Sequence, residues 1–315
     1  MLRARPVEGS VVVIVGASSG VGRASAHAFA RRHARLVLAS RNADALDAVA
    51  EECAHLGGKA IIVTMDVRDA DAAELVRRAA VDAYGSIDTW VNLAAVLLAG
   101  EFGSESVDEI ESLVQTNIVG AVFSARAALE QFREQEHGVL IDVSSMLGAV
   151  PNPLVPLYVM SKFAVRGLSL ALHHASRAWP GVHVCVVMPG PLDTPMFDRA
   201  ANHTRRRLRA IPPAISPERV AAAIVGCARR PRTQRPVGVT SRLILIGLRV
   251  VPRFTEWSVA TYSGTFLITS DEAEDTAGAV MDPVAIERVQ GHFRHGAMRR
   301  RLGDSYGRWA ASRGA

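Results

Sequence analysis

Short apolar runs alternate with longer stretches of helical periodicity through the first two-thirds of the chain. Residues 11–15, 36–39, 60–64, 89–93, 139–143 and 182–187 are strand-length runs rich in valine and isoleucine. Between them, apolar residues recur at three- and four-residue intervals over about 21–32, 43–55, 70–84, 107–135 and 157–179. Strands that are apolar on both faces and joined by helices indicate a parallel sheet covered on both sides. Right-handed crossovers make such a sheet doubly wound, an α/β, Rossmann-like fold. Ser216-Pro217-Glu218 opens another helix, with a serine cap and a proline in its first turn, and residues 234–239 read as a last strand.

Beyond about residue 240 the pattern changes. Residues 241–251 are apolar but carry Arg242 and Arg249, with Arg253 soon after, which is no pattern for a membrane span. Packing against the rest of the protein is the favoured reading of residues 241–265. An amphipathic helix on a membrane surface, on the substrate cleft or on a second subunit is the alternative. Residues 270–315 are acidic first, then basic, and have little periodicity, so they are expected to be loosely ordered. The chain thus divides into a dinucleotide-binding catalytic domain at 1–240 and a mainly helical extension with a basic tail at 241–315.

Composition narrows the class. With 315 residues, 49% of them hydrophobic, the chain can build a sizeable core. Cys53, Cys185 and Cys227 form neither a zinc pattern nor a disulfide framework, which suits a reducing cytoplasm. His292 and His295 lack a third ligand, so no metal site is expected. Residues 1–204 hold 17 Lys+Arg and 22 Asp+Glu, whereas residues 205–315 hold 19 and 9. That asymmetry suits either an anionic partner or packing of a basic tail on an acidic body. The arginine runs at 205–207 and 299–301 read as solvated charge, and no nucleic-acid partner is expected.

The chemistry concentrates in two places. Gly16-Ala-Ser-Ser-Gly20-Val-Gly22 follows the first strand and opens the first helix. Glycine allows the sharp turn and the close approach of a ligand, and the helix N-terminus offers unpaired N–H groups to a pyrophosphate. Further on, Tyr158 and Lys162 stand four apart, on one face of a helix, with Ser145 thirteen residues upstream of the tyrosine. Lowering a phenol from its usual pKa near ~10 to neutrality takes about 4 kcal/mol. One positive charge at ~4 Å in an effective dielectric of ~20 supplies about that much. Lys59 and Lys162 are the only lysines in the chain, which makes a lysine at 162 harder to ascribe to chance.

Together these motifs resemble those of the short-chain dehydrogenase/reductase family, over about residues 10–200. Asp66 in Met-Asp-Val, Asn92-Leu-Ala-Ala, Asn117 in Gln-Thr-Asn-Ile-Val-Gly, and Pro189-Gly190-Pro-Leu-Asp-Thr194 follow in the family's order. Val15 and Ala95 depart from it, standing where threonine and glycine are usual. The resemblance implies that Asn117, Ser145, Tyr158 and Lys162 are catalytic. Tyr158 would be the general acid in reduction and base in oxidation, Lys162 would hold the nicotinamide ribose and acidify the phenol, Ser145 would polarise the substrate carbonyl, and Asn117 would support a proton-relay water. It also places Gly16, Ser18, Ser19, Gly20, Val21, Gly22, Ser40, Arg41, Asp66, Val67, Asn92, Ala94, Tyr158, Lys162, Pro189, Gly190, Leu192 and Thr194 around the cofactor.

At the end of the second strand stands Ser40-Arg41, where an NAD enzyme usually has a carboxylate for the ribose diol. A guanidinium suits a 2′-phosphate, so NADP(H) is favoured over NAD(H). Leu97, Leu147, Leu154, Met196 and Phe197 are candidate walls of an apolar pocket for a lipophilic ketone, aldehyde or secondary alcohol. A nucleotide-sensing protein without turnover and a membrane-peripheral reductase are the alternatives. Pairing through the helices near 121–135 and 157–179 would give a homodimer or homotetramer.

Overall fold

A computed structural model describes residues 5–282 and 288–291. His292, His295 and the arginines at 299–301 lie outside the described residues. The first half of the fold runs β1 (Val11–Val15), α1 (Gly20–Ala30), β2 (Arg35–Ser40), α2 (Ala43–His55), β3 (Lys59–Thr64), α3 (Ala72–Tyr84) and β4 (Thr89–Asn92). The second runs β5 (Leu98–Ala99), α4 (Val107–Val114), α5 (Gly120–Glu134), β6 (Gly138–Val143), α6 (Pro156–Ala175) and β7 (Val182–Pro189). After it come β8 (Ala201–Asn202), β9 (Arg206–Leu208), α7 (Pro217–Arg229) and β10 (Gln234–Val237). The chain then adds α8 (Val239–Val250), α9 (Pro252–Phe266), β11 (Ile268–Glu272) and α10 (Gly278–Met281).

Seven strands form one parallel sheet in the order β10-β7-β6-β4-β1-β2-β3. Residue alternation explains how so apolar a strand is buried on both faces. In β1, Val12 and Ile14 enter one core with Leu36 and Leu38 of β2 and with Phe29 of α1. Val13 and Val15 enter the opposite core with Val37, Ala39, Val76 of α3 and Phe132 of α5. The chain winds outward from β1 to β3, then returns through β4 toward β10. That reversal leaves a crevice beyond the carboxyl ends of β1 and β4, where a doubly wound sheet binds ligands.

The described residues of the extension beyond 267 are more ordered than their weak periodicity suggested. β11 pairs antiparallel with β9, and Thr276 bridges Asn202. In α10, Val280 is fully buried against Leu98 and Leu113. Backbone pairing and a few apolar contacts, from Ile268, Val280 and Met281, hold residues 268–281 in place, and neither leaves a periodic trace. Residues 288–291 also touch the body: Gly20 N–H donates to the Arg288 carbonyl at 3.0 Å, and Gly291 N–H to the Asp193 carbonyl at 3.1 Å. Pro252 opens α9 and divides the apolar segment into two helices that pack on each other.

Candidate active site

The glycine turn is shaped by close backbone approach. Gly20 stands at φ +52° and starts α1, and a Cβ on Gly22 would lie 1.9 Å from the Gly16 carbonyl oxygen. The loop is therefore folded onto itself, with the α1 N-terminus beside it. Ser19, just before α1, accepts a hydrogen bond from Arg199 Nη2 at 2.8 Å. Together these residues border a cleft of about 630 Å³.

Strand order explains how distant residues meet along this cleft. β2 lies on one side of β1, and it delivers Ser40 and Arg41. β6 lies beyond β4 on the other side, and it delivers Val143, Ser144 and Ser145. Tyr158 and Lys162 come from α6, and Pro189, Gly190, Leu192 and Thr194 from the segment at and after the end of β7. All of these line the cleft, as do Gly16, Ser18, Gly20, Val21, Gly22, Val67 and Ala94. Its apolar wall includes Leu97, Leu147, Met196 and Phe197. The inner side of the extension adds Ile244, Val259 and Tyr262.

Four of the residues singled out from sequence do not line the cleft. Asp66 is gripped by Arg68, which donates from Nε at 2.9 Å and from Nη2 at 2.6 Å. Burial raises the Asp66 carboxyl, but the Arg68 bonds outweigh it and leave the group below its usual range. Asn92 is buried, accepting from Trp90 Nε1 at 2.9 Å and donating to Asp142 at 2.8 Å. Asn117 sits in a π-helical turn at Gln115–Val119, between α4 and α5. Its amide ties down Val96, accepting from N–H at 2.8 Å and donating to the carbonyl at 2.9 Å, and also reaches Ser161 at 3.0 Å. Such turns recur at functional sites because the extra residue re-aims the backbone. Leu154 packs in the cluster around Leu97 and Tyr158, behind the wall.

The catalytic candidates differ in how they are held. Ser144 Oγ donates to the Lys162 carbonyl at 2.8 Å, which commits its proton to α6. Ser145 Oγ accepts from Leu147 N–H at 3.1 Å, and no donation by its hydroxyl is recorded among the described residues. Tyr158 is buried and its phenol is pushed above the ordinary tyrosine value by desolvation. Proximity to a lysine was expected to acidify it. Instead Lys162 Nζ lies 5.4 Å from the ring centroid and donates to the Val143 carbonyl at 3.2 Å. Burial lowers the Lys162 ammonium to about 8, against the opposing pull of Asp142.

Asp142 and Arg199 were not singled out from sequence. Asp142 is fully buried in β6, accepting from Ser169 at 2.7 Å and from Asn92. Desolvation raises it to about 6, against those two hydrogen bonds and the Lys162 charge. A lone acid inside the apolar run Val-Leu-Ile-Asp-Val was the available signal. Arg199 had none: its position in the cleft depends on the turn after Thr194. Burial lowers its pKa first, then the positive charge of Arg41, with Arg288 adding to it against Asp198. Arginines held together in this way are a ready anion site.

The buried ammonium has a consequence for stability. Its folded pKa of about 8 lies below the ordinary lysine value of 10.5, so between the two the unfolded chain binds the extra proton. Stability attributable to Lys162 therefore rises as pH increases through that window. Lys162→Met is expected to stabilise the fold at pH 7 by on the order of 1–3 kcal/mol, and the gain should shrink toward pH 10. Thermal unfolding of both proteins across this range checks it. An unchanged or lower melting temperature for the variant at pH 7 would contradict it.

The chain matches the family described as short chain dehydrogenase over residues 10–205. An uncharacterized oxidoreductase of Bacillus subtilis, YxnA, is 30% identical over 81% of this chain and 72% of its own length. The 2,5-dichloro-2,5-cyclohexadiene-1,4-diol dehydrogenase LinX of Sphingobium indicum is 32% identical over 61% of this chain and 77% of its own. Among solved structures, a short chain dehydrogenase/reductase from Burkholderia phymatum in complex with NAD superposes with a TM-score of 0.72 at 25% identity, over 81% of this chain and 96% of that one.

Proposed function

Because this chain belongs to the short-chain dehydrogenase family of NAD(P)-dependent oxidoreductases, we propose that it works with NADP(H) on a lipophilic ketone, aldehyde or secondary alcohol, with Tyr158 as general acid and base. The observation that carries this reading is one cleft bordered by the glycine loop, by Arg41, and by Ser145, Tyr158 and Lys162 with an apolar wall. A bound nicotinamide cofactor supplies or takes up the hydride.

The residues present fit such a cofactor. The α1 N-terminus and Ser18 and Ser19 would hold the pyrophosphate, Thr194 the carboxamide, and Lys162 the ribose hydroxyls. Ser145 would hold the substrate oxygen while Tyr158 hands it a proton or takes one back. A phenol held protonated at neutral pH is in the form that carbonyl reduction requires.

The choice of NADP(H) rests on Arg41. Its Nη2 donates to the Ala279 carbonyl at 3.3 Å, while Nη1 is buried and has no hydrogen-bond partner among the described residues. An unsatisfied buried guanidinium nitrogen is unfavourable, and a 2′-phosphate would satisfy it. Arg199, with its charge close to that of Arg41, adds to the attraction. NADPH is expected to bind more tightly than NADH. Arg41→Ala should weaken NADPH about 10- to 100-fold and leave NADH nearly unchanged. Fluorescence titration of both cofactors checks this, and tighter NADH in the native chain would overturn the assignment. The same reading expects pairing through α5 and α6, on which Val122, Met160 and Phe163 remain exposed.

A further inference from the structure

Helix α8 is apolar on two sides. Its inner residues Ile244, Leu245 and Leu248 pack on Met146, Ala149, Val186 and Met188. Its outer residues Leu243, Ile246 and Val250 share one face by spacing and are 62%, 58% and 72% exposed. In α9, Phe254 and Trp257 are similarly exposed, with ring centroids 5.9 Å apart. A helix at a protein–water boundary ordinarily turns a polar face outward, and one that is apolar all round is buried or meets lipid. Most of the large apolar side chains exposed among the described residues lie between Val239 and Tyr262.

Charge identifies the occupant. Arg242, Arg249 and Arg253 are exposed and interleave with these apolar positions, and no hydrogen bond or ion pair of their side chains is recorded among the described residues. Glu256 is the single carboxylate between residues 239 and 266. We propose that the outer face of α8 and α9 docks on an anionic phospholipid bilayer, with the apolar side chains in the interface and the three guanidinium groups on lipid phosphates.

Tryptophan and arginine flanking an aliphatic face are the residues that settle at the headgroup level. No helix of the described residues is long and apolar enough to cross a membrane, which fits a surface contact. A second copy of the chain is the less favourable occupant. Two-fold pairing would press each patch against itself, bringing six arginines together against two carboxylates. Docking does not depend on which cofactor or carbonyl the cleft takes. It would, however, put lipid one helix diameter, about 10 Å, from the cleft wall formed by Ile244 and Val259.

The test is co-sedimentation of the full chain with vesicles of phosphatidylcholine alone and of equimolar phosphatidylcholine and phosphatidylglycerol, at low and high salt. Binding is expected to the anionic vesicles and to weaken with salt. Arg249→Gln with Arg253→Gln should lower the partition coefficient roughly tenfold or more. Phe254→Ser with Trp257→Ser should abolish binding, and circular dichroism and NADPH titration would verify that this exposed pair leaves the fold intact. If the native chain stays in the supernatant with both vesicle types, the proposal fails. It also fails if the native chain instead self-associates and the Phe254/Trp257 variant disperses it, which would make this face a contact between copies.

Discussion

Tyr158→Phe is expected to lower turnover about 10²- to 10⁴-fold, the range for loss of a positioned proton donor. The substitution removes one oxygen and keeps the ring that packs with Leu97, Val155 and Leu208. That oxygen has no hydrogen-bond partner recorded among the described residues. No hydrogen bond among the described residues is therefore lost, and the melting temperature should hold or rise slightly. NADPH affinity should change less than threefold or so, because Tyr158 contributes little to the glycine loop or the Arg41 site. Steady-state rates, cofactor titration and thermal melts on one preparation separate these effects. A variant that keeps native turnover would show that the proton comes from another group. A variant that loses turnover together with cofactor binding would point to a collapsed cleft instead.

Gly22→Ala should be nearly as damaging, by a different route. The added methyl would meet the Gly16 carbonyl oxygen at 1.9 Å and the Gly16 carbonyl carbon at 2.8 Å. Both are backbone atoms of the same loop, so no rotamer change relieves the clash. The loop must open, and with it the mouth of the cleft. NADPH affinity is expected to fall more than about 100-fold and stability by about 3 kcal/mol. Gly226→Ala is the control: it lies within α7, nothing stands within 4 Å of the new methyl, and it should stabilise the protein by up to about 1 kcal/mol. If the two variants bind cofactor equally well, the loop is not the cofactor's cradle.

Both predictions come from motifs that are visible in the sequence. Local spacing is what exposes them. A strand, a glycine turn and a helix follow one another within 20 residues, and Tyr158 and Lys162 are one helical turn apart. The strand pattern was equally legible, because burial on both faces forces valine and isoleucine into every position of β1. Arg199 was not legible. It reaches Ser19 across 180 residues of sequence, through a turn whose shape no spacing rule describes. Asp142 was half legible, as a charge in an apolar strand, but its partners Asn92 and Ser169 lie 50 and 27 residues away.

Asn117 and Asp66 show the limit from the other side. Each stands in a recognisable motif, yet in the structure each side chain is occupied with its neighbours, Val96 and Ser161 for one and Arg68 for the other. Motif identity says which residue types are required. It does not say whether they act through the side chain on the cleft or by holding the backbone that forms it.

Order along the chain and the hydrophobic period were enough to indicate a doubly wound sheet and the loop that opens α1, since these depend on local patterning and on which faces are buried. The electrostatic state of the cleft was settled only by packing. Desolvation depends on the whole surrounding shell of atoms, and it raised the Tyr158 phenol where a neighbouring ammonium had been expected to lower it. The exposed apolar face of α8 and α9 was likewise decided in three dimensions: the apolar run is plain in the chain, but which of its sides found the core and which was left outside depended on how the two helices came to rest on β7 and the cleft.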